Sequence, residues 1–239
     1  MAWGSVIVTG AASGIGKAVS DALADQGWQV VRTDVAGSAD APELESLDVT
    51  DEGAWADLVQ RLESDGPIAG LINCAGIGGL GAVDEITMDD WDRVLDVNLR
   101  GTVLGCRAAL GAMKPRGKGA IVNVGSTFGI TARNDCAAYA VSKAAVVHLT
   151  RTMAVDLGDN GVRVNCICPG IIETPILGPL TGQGYEGLLE DNLSAHALRR
   201  IGQPEEVAAM AAFLMSDAAS YVTGAIIPVD GGYTAGKWV

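Results

Sequence analysis

At 239 residues, 49% of them hydrophobic and 19% charged, the chain is long enough for one domain with a buried core and too short for two ordinary ones. A formal charge of -13, with Lys and Arg scattered rather than clustered, repels a phosphate backbone and argues against DNA and RNA as partners. The five cysteines lack paired Cys-x-x-Cys spacing, and His148 and His196 stand far apart, so reduced, mostly buried thiols and no metal site are expected.

The run at Val6 follows no basic segment joined to a long apolar one, and stretches such as 207–215 are too short for a bilayer. The expectation is a cytoplasmic protein with no membrane partner.

In chain order, β-branched runs at 5–9, 29–33, 70–73, 120–124, 163–167 and 225–229 predict strands. Amphipathic segments at 16–26, 54–63, 88–113, 137–157 and 205–214 predict helices, with Thr87 and Pro204 as start signals. Strands apolar on both faces, alternating with helices along the whole chain, specify an α/β fold: one doubly wound parallel sheet flanked by helices on both faces, a single domain over 1–239. Ligands of such sheets bind beyond the carboxyl ends of the strands. Segment 170–201 is rich in glycine without a strand period, and reads as a mobile substrate flap.

The first strand runs into Gly10, Ser13, Gly14, Ile15 and Gly16 and then a helix, so the backbone can turn tightly and approach a pyrophosphate at the helix N-terminus. A glycine turn alone is a weak signal. The second strand, however, ends at Asp34, where a carboxylate can accept hydrogen bonds from the adenosine ribose and would repel a 2′-phosphate. Neither Ser13 nor Val35 offers a cation, so NAD is favoured over NADP. Arg32 dissents, because strand alternation puts it on the same face as Asp34.

With these features the chain resembles the short-chain dehydrogenase/reductase family in its compact, Rossmann-type form. The likeness runs from the glycine turn through Asp48 and Val49, then Asn73, Cys74, Ala75 and Gly76, then Asn98 and Ser126. It continues through Tyr139 and Lys143, the run Pro169, Gly170, Ile171, Ile172, Glu173 and Thr174, and the closing Asp230, Gly231 and Gly232. The resemblance implies that Asp48 and Val49 lie beside the adenine, and that Asn73, Ala75, Gly76, Pro169, Gly170, Ile172 and Thr174 line the nicotinamide cofactor. One departure is the short interval from Asp34 to Asp48, which leaves room for only a much reduced helix.

Tyr139 and Lys143 stand at i and i+4 of a predicted helix and project from one face. A phenol is a poor base at neutral pH, and a neighbouring ammonium together with a positive nicotinamide favours phenolate, so Lys143 is expected to tune Tyr139. Ser126, ending a strand, can donate to a substrate oxygen as charge develops there. The resemblance adds that Lys143 also holds the nicotinamide ribose, and that Asn98 supports a water linking the lysine to solvent. The expected activity is hydride transfer between NAD and a secondary alcohol or ketone, with Tyr139 as acid/base.

Pocket walls are expected from strand ends and the flap, where Arg133, Asn134 and Asp135 are polar exceptions among small and apolar residues. Two other readings stand beside this one. An NADPH-dependent 3-oxoacyl reductase needs basic surface to dock an acidic carrier, and positions often Arg in those enzymes correspond here to Gly111 and Val155. A nucleotide-sensing protein without catalysis can use the same fold. Apolar residues on more than one face of 88–113 and 137–157 suggest subunit contacts, and the resemblance implies a homotetramer, or else a dimer.

Overall fold

The computed structural model describes residues 4–35, 43–180 and 193–236. Seven parallel strands form one sheet: β1 (Ser5–Thr9), β2 (Gln29–Asp34), β3 (Leu44–Ser46), β4 (Ile68–Asn73), β5 (Gly119–Val124), β6 (Val162–Pro169) and β7 (Ile226–Val229). Their order is β3-β2-β1-β4-β5-β6-β7. The chain winds outward from β1 through β2 to β3, then returns to the other side of β1 with β4. This reversal opens a crevice between the carboxyl ends of β1 and β4. The architecture is the doubly wound Rossmann-type α/β fold expected from the sequence.

Side chains alternate across the sheet because successive residues of a strand point to opposite faces. On one face Ile7, Leu71 and Ile121 meet Trp55, Leu58 and Leu62 of α2 (Glu52–Asp65), and Leu104, Ala109 and Met113 of α4 (Gly101–Met113). On the other, Val6, Val8, Ile72 and Val122 meet Val19 and Leu23 of α1 (Gly14–Asp25), and Val207, Ala211 and Leu214 of α6 (Pro204–Met215). The near-continuous apolar reading of the strands follows from this two-sided burial.

The structure refines the predicted elements at two places. β3 was not expected, and its three residues pair Arg32, Thr33 and Asp34 with Leu44, Glu45 and Ser46. The predicted helix 88–113 is helical throughout but not uniform: α3 (Met88–Leu95) passes into a π turn, Asp96–Arg100, before α4. Of the expected flap over 170–201, residues 181–192 lie outside the described residues, as do 36–42 in the interval from Asp34 to Asp48. On the near side of 181–192 the chain forms a helical turn, Pro175–Leu180.

Candidate active site

The loop after β1 is shaped by close approach. A Cβ at Gly16 would stand 2.1 Å from the carbonyl oxygen of Gly10, and Gly10, at φ 67, would thrust a side chain to 2.9 Å from the backbone of Ala75. Only glycine fits both places. Thr9, which the sequence did not single out, ties the two edges of the crevice together: its hydroxyl accepts from the backbone N–H groups of Cys74 at 3.1 Å and Ala75 at 3.0 Å. Across the entrance, Thr174 faces Gly14, whose added Cβ would meet the Thr174 side chain at 3.0 Å.

Ser13 precedes α1 and makes no side-chain cap bond, and Ile15 is half-buried against the core. Asp34, at the end of β2, accepts from the N–H of Ala12 at 3.1 Å, so its carboxylate leans over the glycine turn. Arg32 does not reach that region in this arrangement. Its guanidinium donates to Asp21 of α1 at 2.7 Å, and Asp21 also takes Lys17 at 2.7 Å. The two cations hold the Asp21 carboxyl below its ordinary range. Asp48 accepts from the Thr50 N–H at 2.9 Å and hydroxyl at 2.7 Å, bonds that lower its pKa. It borders a cleft of about 500 Å³ whose lining includes Val35, Asp89, Asp92, Arg93 and Asp96. Val49 points the other way, into the core.

The far wall comes from β6 and the segment after it. Pro169 pairs with Val229, and Gly170 donates to the Val229 carbonyl at 3.0 Å. Ile172 is buried and bridges to Gly202.

Asn98 lies in the π turn, fully buried, and binds both polar groups of one residue across the crevice. Its amide oxygen accepts from the Ile77 N–H at 2.8 Å and its amide nitrogen donates to the Ile77 carbonyl at 3.0 Å. The same nitrogen donates to Ser142 at 3.1 Å, and the Asn98 carbonyl accepts from Thr102 at 2.8 Å. A π turn inserts one extra residue and redirects the side chains around it, a feature frequent at functional sites. Asn73 lies deeper, donating to Asn123 at 2.9 Å, and Asn123 in turn donates to Thr150 at 3.0 Å.

α5 (Ala137–Asp156) carries Tyr139 and Lys143. The Lys143 ammonium is buried and donates to the Val124 carbonyl at 2.9 Å. It sits 5.9 Å from the Tyr139 ring centroid, and a Cβ on Gly76 would lie 3.3 Å from it and 3.2 Å from the Asn98 oxygen. Asn98, Gly76, Lys143 and Tyr139 therefore converge, with Ser126 at the end of β5 accepting from the Phe128 N–H at 3.1 Å.

Burial acts first on both groups of the pair. Burial pushes the Tyr139 phenol up, and a hydrogen bond with Ser126 works against it. Burial also pushes Lys143 down, opposed by the nearby thiols of Cys166, Cys74 and Cys168. Desolvation disfavours the charged form of both groups, which is the effect that i,i+4 spacing alone does not reveal.

The geometry fits a dinucleotide: glycines where a Cβ would block approach, a carboxylate at the end of β2, and a buried lysine beside a tyrosine. The family model described as enoyl-(acyl carrier protein) reductase matches residues 10–234. An inactive 2-(S)-hydroxypropyl-CoM dehydrogenase of Xanthobacter autotrophicus is 44% identical over 191 residues, 79% of this chain and 83% of that protein. Cis-4-hydroxycyclohexanecarboxylate dehydrogenase of Sinomonas cyclohexanicum is 42% identical over 246 residues, 96% of each chain. The solved structure of levodione reductase superposes with a TM-score of 0.93 at 33% identity, covering 98% of this chain and 99% of that one. Fold, site geometry and relatives named as dehydrogenases and reductases agree, and the chain belongs to the short-chain dehydrogenase/reductase family of nicotinamide-dependent oxidoreductases.

Proposed function

We propose that the protein interconverts a secondary alcohol and a ketone with NAD(H), Tyr139 acting as the acid/base. The observation that carries the reading is the convergence of Tyr139, Lys143, Ser126 and Asn98 at the carboxyl edge of the sheet, Lys143 being anchored to Val124 at 2.9 Å. Bound nicotinamide supplies a hydride acceptor or donor. The remaining chemistry belongs to the chain.

In this reading the Ser126 hydroxyl donates to the substrate oxygen and fixes its place, and Tyr139 exchanges a proton with that oxygen: it takes the proton during oxidation and returns it during reduction. Lys143 holds the cofactor ribose and favours phenolate when charged, and Asn98 holds the Ile77 backbone so that a proton route from the lysine stays open. Gly10, Ser13, Gly14, Ile15 and Gly16 cradle the pyrophosphate, and Thr174 and Ile172 close over it. Asn73, Ala75, Gly76, Pro169 and Gly170 form the sides of the crevice.

Preference for NAD is supported by Asp34 over the glycine turn, by Arg32 being held on Asp21, and by the aspartates beside Asp48. All three disfavour a 2′-phosphate. Exposed Gly111 and Val155 give no basic surface for a carrier protein, which weighs against the oxoacyl reductase reading. One relative is named inactive, and the assembled acid/base group here supports a working enzyme instead. A panel of secondary alcohols and ketones, run with both nicotinamide cofactors, tests the reading. Turnover with NAD that is lost in Tyr139→Phe is expected, and binding of NAD with no turnover of any alcohol would favour a sensing role.

A further inference from the structure

Six residues before Tyr139, Arg133 lies half-buried with its guanidinium 5.2 Å from the centroid of the Phe128 ring. Phe128 is two residues beyond Ser126 and donates its backbone N–H to the Ser126 hydroxyl at 3.1 Å. The residue whose ring carries the cation is thus tied through its backbone to the group assigned to the substrate oxygen. Its other neighbour is Tyr233, edge-on at 6.2 Å.

The loop that carries Arg133 is held in place. The Gly81 N–H donates to the Asp135 carbonyl at 2.9 Å, Ala137 donates to Gly81 at 3.2 Å, and the Cys136 thiol bonds the Arg133 carbonyl at 3.5 Å. Asp135 takes φ 55, a left-handed conformation uncommon for a residue with a side chain, which only a fixed loop sustains. The Asp135 carboxylate is bonded by the Asn134 side-chain amide. Cys136 is near enough to both Arg133 and Tyr139 to be felt electrostatically by each.

Among the described residues Arg133 forms no ion pair, while Arg32, the other half-buried arginine near a strand end of the site, is paired with Asp21. The half-buried Arg133 guanidinium therefore keeps its charge without a carboxylate of the chain against it. Stacking on Phe128 satisfies one face of the cation and leaves its in-plane N–H donors for an anion, in the fork geometry that matches a carboxylate.

We infer that Arg133 is a specificity-determining residue that binds a carboxylate of the substrate, which makes the substrate class hydroxy acids and their oxo acids. The inference rests on the reading that Ser126 and Tyr139 hold the reacting oxygen: the acid group lies on the Phe128 side of the carbinol carbon. The chain's net negative charge repels such a substrate, and the Arg133 guanidinium offsets that repulsion where the acid group would lie.

The test compares straight-chain and cyclic hydroxy acids with their methyl esters in the wild type, Arg133→Gln and Arg133→Lys. The wild type is expected to favour acid over ester in kcat/KM. That ratio falls about ten- to a hundredfold in Arg133→Gln, the loss of one charge-assisted contact, and recovers in part in Arg133→Lys. Calorimetry with NAD-loaded protein and cyclohexanecarboxylate, which has no hydroxyl to oxidise, reads the site without turnover, and Arg133→Gln should weaken binding by a similar factor. An acid-to-ester ratio and a carboxylate affinity both unmoved by Arg133→Gln overturn the inference while alcohol turnover keeps the enzyme reading. Carboxylate binding that depends on Arg133 in a protein that oxidises no alcohol upholds the anion site and overturns the enzyme reading.

Discussion

The Arg32 guanidinium donates to Asp21 at 2.7 Å, so the cation nearest to Asp34 along β2 is turned toward α1 instead of toward the nucleotide crevice. Strand alternation places Arg32 and Asp34 on one face, and the acid on the neighbouring helix decides what the arginine does. Asp34→Ala should raise KM for NAD about ten- to a hundredfold by removing a charge-assisted contact. Adding Asp21→Asn, which releases Arg32 and Lys17, should lower KM for NADP further. Steady-state kinetics with both cofactors checks the pair, and unchanged NADP usage in the double variant would show that Arg32 stays out of reach.

Tyr139→Phe should retain NAD binding and lose turnover on the order of a hundred- to ten-thousandfold, the usual contribution of a positioned acid/base. Fluorescence titration of NAD and initial rates separate the two effects. Near-normal turnover would sink the assignment.

Because burial raises the Tyr139 phenol, alcohol oxidation, which needs phenolate, should climb as pH rises through the alkaline range. Ketone reduction needs the protonated phenol and should hold through neutral pH. Ser126 works against the upward shift, so Ser126→Ala should move the oxidation limb to higher pH as well as slow the reaction. A limb moving to lower pH in that variant would contradict the sign.

Replacing Asn98 by Leu removes two bonds to Ile77 and one to Ser142 in a buried place. The two orphaned Ile77 backbone groups should cost about 3 kcal/mol of stability, read from denaturant midpoints, while Ser142 keeps its bond to the Tyr139 carbonyl. Gly76→Ala tests the same spot differently. Its Cβ would stand 3.2 Å from the Asn98 oxygen and 3.3 Å from the Lys143 ammonium, so activity should fall more than stability does.

Val155 of α5 is 84% exposed and Val141 is 49% exposed. We propose that α5 meets another subunit in the tetramer, or else dimer, that the family resemblance implies, so Val155→Asp should shift the sedimentation coefficient toward monomer. A wild type that sediments as a monomer at micromolar concentration excludes the contact.

The sheet was legible in the sequence because its central strands β1, β4, β5 and β6 are buried on both sides and therefore read as short, almost wholly apolar runs. β3 was not, since three residues with one buried side chain, Leu44, carry no periodicity. Gly10, Asp34, Tyr139 and Lys143 could be found from spacing, as each stands at a fixed interval from a strand or helix end. Other features depend on contacts across the fold. Thr9, Asn123 and Ser142 meet their partners through residues distant in the chain, and the π turn at Asn98 is fixed by Ile77 on another loop. The direction of the Tyr139 shift likewise depends on how deeply α5 settles against β5, which helical spacing does not encode.

Thr9 carries a consequence for how ligands meet this protein. By accepting from Cys74 and Ala75, its hydroxyl joins the end of β1 to the loop after β4. The width of the crevice is therefore settled when the chain folds, and an incoming dinucleotide finds a slot already cut to size, with little ordering of these two segments left to accomplish on arrival.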